Sequence, residues 1–102
     1  MLRRVGITKD IAIGRLGAFE VQGVKVPVAN VEGRFYAFEG TCPHSGCSLA
    51  MGTLAGTTVT CGCHGSRFDV TSGVLLRGPA RRPVRSWTVQ VTGEDLLVDA
   101  DA

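Results

Sequence analysis

No stretch of this chain is long and apolar enough to cross a bilayer as a helix, which takes roughly 20 consecutive residues. The N-terminus, Met1-Leu2-Arg3-Arg4-Val5, lacks the apolar run of about 7–15 residues that marks a signal peptide. These two absences lead to the expectation of a soluble, unexported, cytoplasmic protein. An excess of one charge is missing too. Eleven basic and nine acidic residues leave a formal charge of +2, and the 6% of aromatic residues are scattered rather than interleaved with Lys and Arg. A nucleic-acid partner is therefore not expected. Internal repeats, low-complexity tracts and linkers are absent, and 102 residues are too few for two independent cores. A single domain over residues 1–102 is expected, with the 44% hydrophobic and 20% charged composition of an ordinary globular chain.

Helical stretches are few and weak, and 14 glycines favour turns over helix interiors. Period-2 alternation predicts strands near Leu2–Ile7, Phe19–Val21, Val24–Val31, Phe35–Glu39, Thr57–Cys61, Ser66–Asp69, Arg85–Val91 and Leu96–Asp99. Val21-Gln22-Gly23-Val24 and Val31-Glu32-Gly33-Arg34 look like hairpin turns, and Thr92-Gly93-Glu94-Asp95 separates the last two strands. The reading is all-β, a small antiparallel sandwich or barrel. Its inward face would be Val28, Val31, Phe35, Ala37, Trp87, Val89, Val91, Leu96 and Val98.

From about 40 to 80 the character changes to dense Cys, His, Gly and small polar residues. All four cysteines and both histidines of the chain lie in two short runs, Cys42-Pro43-His44-Ser45-Gly46-Cys47 and Cys61-Gly62-Cys63-His64. The region reads as two loops carried by a short hairpin, and such clustering points to a metal site. Zinc is disfavoured, because each run contributes one cysteine and one histidine, as C-x-H and C-x-x-H, instead of pairing like with like. A plant-type four-cysteine cluster is disfavoured as well, since Cys61 and Cys63 do not complete its spacing and both histidines would be idle.

The pair Cys42/His44 and Cys61/His64 resembles the signature of Rieske proteins, in which two thiolates hold one iron of a [2Fe–2S] cluster and two imidazoles the other. The likeness extends over nearly the whole chain. The Gly33-Arg34-Phe35-Tyr36-Ala37 run, Cys61 to Asp69, Gly73-Val74, Gly78-Pro79-Ala80 and the closing hairpin look like those of a bacterial Rieske ferredoxin. The resemblance implies one cluster per chain at the tip of two loops in an antiparallel β sandwich. It also implies a pairing of Cys47 with Cys63, as in the Rieske proteins of cytochrome bc complexes, whereas many oxygenase ferredoxins lack that pair. Ser66 matches a position where such proteins place a hydroxyl donor to a bridging sulfide, and Phe68 one where they carry a tyrosine. Gly78-Pro79 resembles the proline loop that shields the cluster.

Replacing two thiolates by neutral imidazoles makes the site less negative, so its potential is expected in the range of about −150 to +300 mV. With one of two hydroxyl donors kept, an intermediate value is expected. The function implied is electron transfer without substrate turnover, from a reductase to an oxygenase or similar acceptor, with the protein a monomer when isolated. A rival reading is a small Rieske subunit of a larger oxidoreductase, arsenite-oxidase-like or bc-like, which the Cys47/Cys63 pair favours. A fragment of a Rieske oxygenase is disfavoured, because no histidine remains for a mononuclear iron site.

Overall fold

The computed structural model describes residues 1–43 and 46–100. Val24–Val31 (β3) organises the first half of the chain, its β-branched residues fitting a pleated, buried surface. Residues 26–30 are all buried, because successive side chains point to opposite faces and both faces are covered. Val26 and Val28 enter one core with Ile11, Ala37, Leu96 and Val98. Ala29, from the other face, enters a second with Phe38, Leu49, Val59 and Phe68. The strand is thus a wall between two cores.

Around it lie Arg3–Ile7 (β1), Leu16–Val21 (β2), Arg34–Phe38 (β4), Ser86–Thr92 (β9) and Asp95–Asp99 (β10). They form a six-stranded antiparallel sheet in the order β1-β10-β9-β4-β3-β2. Its two outer strands approach each other: a Cβ at Gly6 of β1 would lie 2.8 Å from the Phe19 ring of β2. The turns at Gln22-Gly23 and Glu32-Gly33 have positive φ at both central residues, as two-residue hairpins of matching twist require. The second core lies under a smaller antiparallel sheet of Thr53–Ala55 (β5), Thr58–Thr60 (β6), Arg67–Asp69 (β7) and Leu75–Arg77 (β8), paired in that order.

The all-β antiparallel reading holds. β5 and β8 were not predicted, and β2 begins three residues before the predicted strand. Of the predicted inward face, Val28, Ala37, Leu96 and Val98 are fully buried, and Val31, Phe35, Trp87 and Val89 are half-buried. Val91 is a correction at 46% exposure. Only Ser86 and Trp87 of β9 pair with β4, so Val91 extends past that partner. Trp87 packs against the first core with a buried indole nitrogen.

Candidate metal centre

Two loops leave the small sheet and the end of β4 with the same backbone design. In the first, the Cys42 N–H donates to the Cys47 carbonyl at 2.9 Å and the Gly46 N–H donates back to the Cys42 carbonyl at 2.9 Å. In the second, the Cys61 N–H donates to the Ser66 carbonyl at 2.8 Å and the Gly65 N–H to the Cys61 carbonyl at 3.1 Å. Each loop therefore opens on a cysteine and closes five residues later. Each turns at a glycine four residues on, with φ of 73° at Gly46 and 78° at Gly65, a region costly for other residues. The Thr41–Ser48 bridge closes the base of the first loop, and the Thr60–Arg67 pair that of the second.

This design presses the opening cysteines inward. Cys42 and Cys61 are each 2% exposed and share the second core with Phe38, Leu49, Val59 and Phe68. His64 is exposed on the second loop, and His44 lies outside the described residues. Among the described residues, no three His, Cys, Asp or Glu side chains converge on a point. Cys47 and Cys63 form a disulfide across the two loops, their Cα atoms 6.5 Å apart. Such a link limits how far the loops can separate in the unfolded chain.

Ser66 is fully buried, and its Oγ accepts the Ala80 N–H at 3.0 Å, so the chain after the exposed Gly78 and Pro79 is tied to the second loop. The Ser66 O–H proton has no acceptor among the described residues. Phe68 is fully buried in the core and offers no hydroxyl.

Sequence reading missed Glu39, which ends up beside the first loop. The Arg82 guanidinium donates to both of its carboxylate oxygens, at 3.2 and 3.1 Å, and the Arg85 N–H adds a third bond at 3.1 Å. Burial alone would raise the Glu39 pKa, but these bonds and the two arginine charges outweigh it and hold the carboxyl below its ordinary value. A separation of 43 residues hides this pair from any local pattern.

The donor chemistry fits an iron–sulfur cluster with mixed ligands. Soft thiolates suit iron–sulfur centres and imidazoles suit iron, and the two thiols sit on the water-poor side while one imidazole faces solvent. A family model described as the Rieske [2Fe-2S] domain matches residues 2–88. The chain belongs to the Rieske [2Fe–2S] family, and its cofactor is a Rieske-type [2Fe–2S] cluster. It is similar to the ferredoxin component of biphenyl 2,3-dioxygenase from Rhodococcus jostii (strain RHA1), at 34% identity over 98% of this chain and 94% of that one. The solved ferredoxin of carbazole 1,9a-dioxygenase from Nocardioides aromaticivorans IC177 superposes with a TM-score of 0.91, 32% identity and 96% coverage of both chains. A ferredoxin-containing complex of reduced oxygenase and oxidized ferredoxin in carbazole 1,9a-dioxygenase gives 0.90 and 31% identity, over 95% of this chain and 91% of that one. The protein is accordingly an electron carrier and not itself a catalyst. No helix among the described residues is long and apolar enough to cross a membrane.

Proposed function

We propose that Cys42 and Cys61 hold one iron of the cluster and His44 and His64 the other, and that the protein passes single electrons from a reductase to an oxygenase. The observation that carries this is the matched pair of loops, each opening on a buried cysteine, containing one histidine and joined to the other by Cys47–Cys63. When bound, the cluster supplies one reversible electron-accepting centre. The polypeptide does the rest. Buried thiols keep water from the sulfur side, the disulfide holds the loops together, and the exposed His64 edge offers a short route to a partner. Ser66 has a spare O–H for a cluster sulfur, whereas Phe68 lacks one, which supports an intermediate potential. The oxygenase follows from the relatives, which are components of dioxygenase systems and cover nearly the whole of this chain.

The ligand assignment is tested by EPR of the dithionite-reduced protein. A rhombic signal of mixed Cys/His ligation is expected from the wild type, and loss of that signal and of bound iron from Cys42→Ser, Cys61→Ser, His44→Ala and His64→Ala. An undiminished signal in any of the four removes that residue from the ligand set. A redox titration on the same sample tests the intermediate potential, and a midpoint at about −150 mV, the low end of the Rieske range, counts against it.

The same reading makes residues 1–102 one working unit, monomeric when isolated and located in the cytoplasm, which cell fractionation and size-exclusion chromatography check. The disulfide favours a second reading, a small subunit of a larger oxidoreductase. Stable co-purification with a large subunit would select it.

A further inference from the structure

The charges of this chain are segregated. Between Gly40 and Val84 stand four arginines, Arg67, Arg77, Arg81 and Arg82, and one carboxylate, Asp69, while the rest of the chain has seven basic and eight acidic side chains. Arg4–Asp95 and Lys9–Glu94 lie in and beside the six-stranded sheet, and Arg82 is taken up by Glu39. Asp69 is engaged on its own segment, accepting the Thr71 N–H at 2.8 Å and the Thr71 hydroxyl at 2.5 Å. Among the described residues, Arg67, Arg77 and Arg81 have no carboxylate partner.

Two of these arginines face each other. Thr53, Thr60, Arg67 and Arg77 form one row across β5, β6, β7 and β8, Arg77 being the partner of Arg67 just past a register shift that leaves Leu76 as an extra residue in β8. Both are exposed, while the neighbouring row of Val59 and Phe68 is buried. Like charges directly across a sheet are destabilising by up to about 1 kcal/mol. The fold bears this cost at a particular place. The row is the last one before the Cys61–Ser66 loop, and Arg77 immediately precedes the Gly78–Ala80 segment fastened to Ser66. Arginine forks match carboxylates in planar two-point contacts.

We infer that Arg67 and Arg77 form a docking site for an acidic face on the protein's redox partner. The partner class is thus a redox protein presenting clustered carboxylates near its own electron-transfer edge. This rests on the electron-carrier reading with Cys61 and His64 as ligands.

The test uses the holo protein, reduced with dithionite and desalted, and two acceptors with the same haem. These are lysine-rich native cytochrome c and its succinylated form, whose lysines have become carboxylates. In each reaction one electron leaves the reduced protein and ferric haem becomes ferrous, with no bond or proton exchanged. At about 10 mM ionic strength, where the Debye length is about 30 Å, the succinylated acceptor is expected to react at least about tenfold faster. At about 1 M, where that length is about 3 Å, the two rates converge. Arg67→Gln/Arg77→Gln abolishes the preference with an unchanged reduction potential. Lys9→Gln/Arg34→Gln, the same charge change at the far end of the large sheet, retains it. Equal rates with the two acceptors at low salt in the wild type, or a preference surviving in Arg67→Gln/Arg77→Gln, overturns the inference. Absence of the Rieske EPR signal in the starting protein overturns the ligand reading instead, and this inference with it.

Discussion

The Ala80 amide donates to the Ser66 hydroxyl at 3.0 Å, and this bond holds the chain just after Pro79 against the loop that starts at Cys61. Both partners are buried. Ser66→Ala is expected to leave the Ala80 N–H without an acceptor, at a cost of about 1–3 kcal/mol. It also removes a buried hydroxyl whose proton has no acceptor among the described residues. A donor favours the more negative, reduced state, so its loss lowers the potential. The shift is on the order of 60 mV if about 1.4 kcal/mol of differential bonding is lost in a one-electron couple. Redox titration of wild type and variant measures it, and an unchanged midpoint would leave Ser66 a purely structural part.

The Cys47–Cys63 link joins positions 16 apart in sequence. A cross-link closing a loop of about 15 residues contributes about 3 kcal/mol through the unfolded chain. Cys47→Ser/Cys63→Ser is therefore expected to lose its visible absorbance on heating at least about tenfold faster, a change for which about 1.4 kcal/mol suffices. Wild type kept in reductant should match the double variant. If the variant bleaches at the wild-type rate, the loops are held by their own hydrogen bonds and core packing.

Glu39 gives the fold a pH dependence whose sign is set by its lowered pKa. Because the folded carboxyl binds its proton less readily than the unfolded one, its contribution is present in full above the unfolded carboxylate pKa. It is lost as pH falls through the folded value. Burial opposes this shift, and the bonds from Arg82 and the Arg85 N–H exceed it. The Arg82 side chain is 56% exposed against 18% for Glu39, so solvent screening keeps the pair to about 1 kcal/mol or less. Glu39→Gln should lower stability near neutral pH and have little effect in acid. Denaturation curves at several pH values check this, and a constant offset at all of them would show that charge is not what matters there.

Much of the fold was legible because most of its strands are long enough to alternate. β3 could be read from its valines with the same bounds, and the hairpins at Gln22-Gly23 and Glu32-Gly33 from their glycines. β5 and β8 were not legible: Thr53–Ala55 and Leu75–Arg77 become strands through their neighbours, a property of tertiary pairing that local pattern does not contain. The Cys/His runs marked the candidate site at once, because those residue types occur nowhere else in the chain. What supports the site was hidden. The Ala80–Ser66 bond spans 14 residues, the Glu39–Arg82 pair 43, and the Arg67–Arg77 register depends on β8.

The hairpin turns carry the last prediction, because their central residues work against their own geometry. Gln22 and Glu32 adopt φ of 51° and 54°, where side chains other than Asn and Asp are disfavoured, while the glycines after them are at ease. Both side chains point to solvent, so substitution there changes backbone preference and little else. Gln22→Asn and Glu32→Asn are each expected to stabilise the protein by about 0.5 kcal/mol. The two turns lie at opposite ends of β3, too far apart to couple, so the effects should add to about 1 kcal/mol, or at least about 4 °C in Tm. Gln22→Val and Glu32→Val should move Tm the other way, since a β-branched side chain is least tolerant of positive φ. Thermal melts of the four single variants and the double Asn variant decide the matter. Valine variants as stable as the asparagine ones would mean that the turns relax to another type at no cost.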